Sequence, residues 1–383
     1  MRPARVHVDL EAVRSNAGVL ERLAGDALLC AVVKADGYGH GAVRVARAAL
    51  ESGAQRLAVA LVEEGALLRE AGITAPVLVL SEPPVDSLAD AYSLGLTPTL
   101  YHLDAVQAAA EAARRRGGSS ARWAVQLKVD TGMHRVGAPP EGLADLAARV
   151  FSADTLVLQG VFTHLATADE SDPRHTTAQL DAFERTVLGL RNRGVDPGII
   201  HAANSAAAIT HPGSRLDMVR CGIALYGVEP APGLGEGLGL VPAMSVLTEV
   251  THTATVPAGE GVSYGLRHRF EVDTDVAVLP VGYADGVPRN LGLNGGEVLI
   301  GGVRRAVRGA VTMDQLVVEV GPTGDDSVVP VHRGDEAVLI GTQPDAHDGT
   351  MLEVSATEWA GLMDTIAYEV VCSFSERMPR DYR

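Results

Sequence analysis

From residue 5 to about 230, short apolar runs alternate with longer stretches of helical period. LLCAVVK (28–34) precedes AVRVARAALESG, RLAVALV (56–62) precedes EEGALLREAG, PVLVLS (76–81) precedes VDSLADAYSLG, and TPTLYH (97–102) precedes LDAVQAAAEAARRRGG. RWAVQLKVD (122–130), LVLQGVFTHL (156–165), PGIIHA (197–202) and LDMVRCGIALYG (216–227) continue the series, giving eight expected strands. Continuous apolar strands set between amphipathic helices are those of a parallel sheet buried on both faces, and eight such units predict a (β/α)8 barrel. Ahead of them, Leu10, Val13, Ala17, Leu20 and Leu23 share one helix face, with Asp9 available as its N-cap.

After the Pro/Gly-rich segment GVEPAPGLGEGLGLVPA (227–243) the period changes. SVLTEVTHTATV, TDVAVLPVGYADGV, GEVLIGGVRRAVRGAV and DQLVVEVG alternate in twos between glycine turns, and no helix-length segment recurs until about residue 352. The expected organisation is a barrel over residues 1–235 and a mostly antiparallel β domain over 236–383.

Composition narrows the partners. The 383 residues are 46% hydrophobic, with 32 Lys and Arg against 48 Asp and Glu. A formal net charge of −16 repels phosphate backbones and anionic membrane faces, so neither nucleic acid nor membrane is expected as a partner. Cys30, Cys221 and Cys372 are odd in number and lack metal-binding spacing, which points to a reducing compartment. Charges interrupt the N-terminus and no run of 18 apolar residues follows, so a cytoplasmic location is expected.

In a barrel of this kind chemistry collects where the strands end. Lys34 ends the first run; Lys128, Asp130 and Arg135 follow the fifth; His164 ends the sixth; Asn204 and Ser205 follow the seventh; Arg220 and Gly222 close the eighth. Taken singly, a strand-end lysine is most simply a surface charge and an Asn-Ser pair a helix cap. Together, two lysines, two arginines and a histidine at one mouth are costly unless an anion joins them. Ser205 and the amides around Gly222 and Ile223 suit a phosphate, the usual use of the last two loops. If the phosphorylated molecule is pyridoxal phosphate, Lys34 is placed to react with its aldehyde.

The stretches AVVKADGYGHG, VDTGMHRVG, HAANSAA, VRCGIALYG, GEGVSYG, GYADG and MDQ resemble, in the same order, the motifs of the alanine racemases, from about Val6 to Arg380. The resemblance implies a pyridoxal 5′-phosphate enzyme that interconverts L- and D-alanine, supplies D-alanine for peptidoglycan, and works as a homodimer with shared sites. By it, Lys34 binds the cofactor and is the base on the D side, while Tyr264 of the partner chain is the base on the L side. Arg135 meets the cofactor's phenolic oxygen and the substrate carboxylate, oriented by Lys128, which this family often carbamylates. Tyr38, Ser205, Gly222, Ile223 and Tyr368 hold the phosphate, with Asn204 beside them. Arg220 faces the pyridine nitrogen, and His164, linked to it, supports the Tyr264 phenolate. Met313 offers its amide to the substrate carboxylate, with Asp314 in support, and Tyr283 narrows the entrance with Tyr368. Ala310, Val371 and Gly37 stand where the family often has arginine, proline and alanine.

Other readings remain at this stage: a racemase of another small amino acid, a non-catalytic cofactor carrier, a barrel decarboxylase of basic amino acids, or a hydrolase using His164. The absence of a triple-glycine phosphate loop weighs against the decarboxylase. The long β domain bearing Tyr264 weighs against the carrier.

Overall fold

In the computed structural model, which describes residues 2–383, a first strand β1 (Arg5–Val8) is followed by eight parallel strands. These are β2 (Leu28–Val32), β3 (Arg56–Val59), β4 (Val77–Val79), β5 (Thr97–Leu100), β6 (Trp123–Lys128), β7 (Leu156–Phe162), β8 (Ile199–His201) and β9 (Met218–Cys221). Hydrogen bonds order them β8-β7-β6-β5-β4-β3-β2-β9. The seam between β8 and β9 is held by Asp217 N to Ile200 O (3.1 Å) and Arg220 N to Ala203 O (3.0 Å), so the sheet closes into the expected barrel. Each apolar run of the sequence supplies one strand. Leu29, Cys30, Ala31, Val32 and Val33 are all buried although successive side chains point to opposite faces, because helices cover the outside. The principal barrel helices are Leu10–Ala24, Ala42–Glu51, Val62–Glu70, Leu103–Gly117, Leu143–Phe151 and Arg174–Asn192. Asn16 ties the first of them to the segment after the last strand, donating to Leu225 O and Val241 O and accepting from Val241 N.

The chain divides into two compact units: Glu11–Val241, and the stretch up to Leu10 together with Pro242–Arg383. The boundary expected at 235/236 therefore lies between Val241 and Pro242, and β1 belongs with the β unit. That unit contains β10 (Met244–Glu249), β11 (His252–Val256), β12 (Gly261–Val262), β13 (His268–Arg269), β14 (Thr274–Leu279), β15 (Glu297–Ile300), β16 (Val303–Arg308), β17 (Leu316–Pro322), β18 (Glu336–Pro344), β19 (Met351–Val354) and β20 (Arg380–Tyr382). The main sheet runs β11-β14-β17-β16-β15-β18-β10-β1-β20. All its pairings are antiparallel except β1 with β20. β10 alternates buried and partly exposed positions, the period-two pattern of a sheet with one face on a core. Among the described residues no helix is long and apolar enough to cross a membrane.

Candidate active site

The run that begins with β2 ends in an unusual turn. Ala35, Asp36, Gly37 and Tyr38 have φ of 52°, 49°, 62° and 52°, so the backbone after Lys34 winds left-handed. In such a winding each L-residue costs about 1–2 kcal/mol, and only strong local bonding keeps it. That bonding is present. Gly37 N donates to Val33 O (2.9 Å), Gly39 N to Ala35 O (3.0 Å) and Gly41 N to Asp36 O (2.8 Å). The Asp36 carboxylate accepts from Ala42 N (2.8 Å), the His40 Nδ1–H donates to Tyr38 O (2.8 Å), and Glu64 Oε1 accepts from Ala35 N (2.6 Å). Gly37 also brings the backbone close to Ala42, whose N and Cα would lie 3.2 Å from a Cβ. The outcome is that Lys34 sits at the strand's C-terminal end, with the chain turned sharply away from it.

Around the same mouth stand the other expected cations. Arg220 is 4% exposed, and its acceptors among the described residues are neutral: Nη1 donates to His201 Nδ1 (2.8 Å), and Nη2 to Thr163 O (2.9 Å), Ala202 O (3.1 Å) and His164 Nδ1 (3.2 Å). No carboxylate pairs with it among the described residues. Burial lowers its pKa to about 10. Lys128, 6% exposed, is brought down to about 8 by burial, with Arg220, Arg135 and Lys34 adding repulsion. Both cations lie over the Phe162 ring, Lys128 Nζ at 5.6 Å and the Arg220 guanidinium carbon at 5.2 Å from its centroid. Between Lys128 and Arg135 there is charge repulsion, and no hydrogen bond joins the two among the described residues. Asp130 builds the Arg135 loop by accepting with one oxygen from the amides of Gly132, Met133 and His134.

The histidines are neutral for a physical reason. Burial, then Arg220, Lys128, Arg135 and Lys34, hold His164 well below its usual pKa, and burial with Arg220 and Arg56 does the same to His201. Because His201 Nδ1 accepts from Arg220, its proton sits on Nε2 and is donated to Gln126 Oε1 (2.8 Å). Gln126 continues the line to Gln159 Oε1 (3.2 Å), which also accepts from Arg56 (3.1 Å). His201 and Gln126 were not singled out in the sequence; a histidine and a glutamine inside apolar strands were the available signal. Both imidazoles take up protons near pH 6.5 once the chain unfolds, so the unfolded state binds more protons below that pH and stability falls on acidification. Thermal unfolding monitored by circular dichroism should show Tm dropping between pH 7 and pH 5, with a shallower slope in His201→Gln. A Tm independent of pH there would contradict the neutral assignment.

Just beyond the ends of β8 and β9, Ser205 Oγ accepts from Gly222 N (2.9 Å) and Ala224 N (3.4 Å), which leaves its hydroxyl proton for another acceptor. A Cβ on Gly222 would lie 2.3 Å from the Tyr38 hydroxyl, so Tyr38 packs directly on that glycine. Ile223 follows, buried. Asn204 caps the helix Ser205–Thr210, its Oδ1 accepting from Ala207 N (2.9 Å).

The remaining expected site residues lie in the β unit. Tyr264 is 72% exposed on a turn between β12 and β13 in which Ser263, Gly265 and Leu266 all have positive φ. Ser263 Oγ donates to Ala310 O, so position 310 supports this turn through its backbone whatever its side chain. Tyr283 (42% exposed) and Met313 (51%) are brought together by Tyr283 N to Thr312 O (2.9 Å) and Ala284 N to Met313 O (3.1 Å). Fully buried Asp285 anchors the pair, accepting from Gly282 N (2.9 Å) and from Arg2 (2.5 Å), while Arg377 bridges to Asp314 (2.6 Å). Tyr368 is half-buried in the helix Ala367–Ser373.

A closed barrel whose mouth gathers lysines, arginines and a neutral histidine beside a serine–glycine corner has the architecture of the (β/α)8-barrel enzymes, whose sites lie at the C-terminal ends of the strands. Family models for the alanine racemase N-terminal domain and C-terminal domain match residues 8–230 and 243–382, and the chain belongs to the alanine racemase family. The alanine racemase of Symbiobacterium thermophilum is 47% identical, over 100% of this chain and 97% of that protein. The crystal structure of the Streptomyces lavendulae alanine racemase superposes with a TM-score of 0.91 at 39% identity, covering 100% of this chain and 97% of that one. The Bacillus anthracis alanine racemase, solved with bound L-Ala-P, gives a TM-score of 0.89 at 37% identity, covering 100% and 95%.

Proposed function

We infer that the protein is an alanine racemase that interconverts L- and D-alanine with pyridoxal 5′-phosphate, and that Lys34 and Tyr264 are its two bases. The observation that carries this reading is a mouth with Lys34, Lys128, Arg135 and buried Arg220 set beside Ser205 and Gly222, with no carboxylate on Arg220 among the described residues. Those donors fit a molecule with a phosphate at one end and a substrate carboxylate at the other. When bound, pyridoxal phosphate supplies an aldehyde for an amine and an electron-withdrawing ring that acidifies the substrate's α-carbon.

The chain's own groups do the rest. Ser205, Tyr38 and the backbone at Gly222–Ile223 would hold the phosphate, with Asn204 fixing the helix that carries Ser205. Arg220, still cationic at neutral pH, would be the residue set against the ring nitrogen of the bound cofactor, where it would discourage protonation and so keep the electron sink weak. Lys34 removes or returns the α-proton on one face. Tyr264, from a partner chain, does so on the other, since inversion needs two groups flanking a planar carbon. Arg135 holds the substrate carboxylate, Met313 contributes its amide, Asp314 supports it, and Tyr283 and Tyr368 narrow the entrance. Lys128, partly unprotonated near pH 8, can take up carbon dioxide, and the resulting carbamate would turn repulsion with Arg135 into attraction. The homodimer, a cytoplasmic location and the supply of D-alanine to peptidoglycan complete the proposal.

Incubation of purified protein and pyridoxal phosphate with L-alanine should bring the amino acid's circular dichroism to zero as both enantiomers become equal. A parallel panel with L-serine and larger amino acids should show slower decay. Equal or faster loss with another amino acid would reassign the substrate, and cofactor absorbance without any decay would favour a carrier.

A further inference from the structure

The left-handed turn after Lys34 is fastened to a neighbouring strand end by one carboxylate. Glu64 sits in the first turn of the helix Val62–Glu70, and its two oxygens face different partners. Oε1 accepts from the amide of Ala35, the residue after Lys34, at 2.6 Å. Oε2 accepts from Ala60 N (2.7 Å) and Leu61 N (3.1 Å), just beyond β3. β2 and β3 are already paired up to Val32 with Ala58, and Val33 N donates to Ala58 O (2.8 Å). Glu64 carries that registration past the end of the β2–β3 ladder, to the backbone of residue 35.

We propose that Glu64 is a positioning residue for Lys34: by bridging the Ala35 amide to the Ala60 and Leu61 amides, it fixes the direction in which the lysine leaves its strand. The proposal rests on Lys34 being a base of the reaction. A carboxylate is the group required, because both ends of the bridge are N–H donors and each oxygen must accept. A carboxamide offers one acceptor oxygen and one donor nitrogen, so Glu64→Gln keeps one side of the bridge and repels the other. The reacting lysine then points less well, and misplacement by a fraction of an ångström slows only the proton transfer that it performs.

The test uses the holoenzyme of Glu64→Gln, with Lys34→Ala as a control. Amide exchange in the peptide spanning residues 33–39 should quicken about tenfold, as expected for one lost charge-assisted hydrogen bond. The kcat should fall about tenfold or more with KM nearly unchanged. The distinguishing readout is directional: the primary isotope effect with α-deuterated D-alanine should rise, because the step made by Lys34 becomes more rate-limiting, while that with α-deuterated L-alanine should fall. Glu64→Asp, which keeps both oxygens but shortens the reach, should shift the two isotope effects the same way and serves if the glutamine variant does not fold. Isotope effects that move together, a change confined to KM, or parental kcat and exchange would each overturn the proposal. Racemisation by Lys34→Ala would instead overturn the assignment of Lys34 itself, whatever Glu64 does.

Discussion

Lys34→Ala is expected to slow racemisation of L-alanine by about 10⁴-fold, the upper end of what one positioned proton-transfer group contributes. The lysine serves twice in this account, as the amine that captures the cofactor and as the base on one face of the substrate. Its loss should therefore also abolish stable retention of pyridoxal phosphate through gel filtration. The fold should survive, because the strained turn is held by the backbone of Val33, Ala35 and Asp36 and by the carboxylates of Asp36 and Glu64. Circular dichroism and Tm close to those of the parent, with activity gone, are the expected pair of results; an active, folded Lys34→Ala protein would remove the residue from the mechanism.

Tyr264→Phe should lose about 10³-fold in turnover, since it removes a proton-transfer group and nothing else. Cofactor absorbance should persist, because Lys34, Ser205 and Arg220 are untouched. At 72% exposure on a turn braced by Ser263, the phenol contributes little to the stability of its own unit. The two variants also test the shared site together. In the proposed homodimer with shared sites, each single-variant dimer would lack one base in both sites, whereas a mixed dimer would have one doubly damaged site and one intact one. Subunit exchange between Lys34→Ala and Tyr264→Phe should restore about a quarter of parental activity, half the dimers being mixed and half their sites whole. No recovery on mixing, with dimers shown to exchange, would place both bases in one chain.

Much of the barrel was legible because its strands are buried on both faces and so read as unbroken apolar runs, each ending where the polar residues begin. Lys34, Lys128 and Arg220 stood out as charges at the ends of such runs. The membership of β1 did not show: RVHV is four residues long, and its partners β10 and β20 lie at the far end of the chain. Nor did the left-handed turn, since alanine, aspartate and tyrosine carry no preference for that conformation strong enough to announce it. His201, Gln126 and Glu64 were missed for a related reason. Their importance comes from bonds across neighbouring strands and loops, and spacing along the chain cannot reveal such bonds. Asp285 is a similar case, an ordinary turn aspartate in GYADG until Arg2 and Arg377 converge on it.

The most direct test is chemical trapping at Lys34. Borohydride reduction of the purified, pyridoxal-phosphate-loaded protein, followed by proteolysis and mass spectrometry, should place a single phosphopyridoxyl group on the peptide containing AVVKADGYGHG, at Lys34. A reduced adduct mapped to Lys128, or no adduct from a preparation that racemises alanine, would contradict the account.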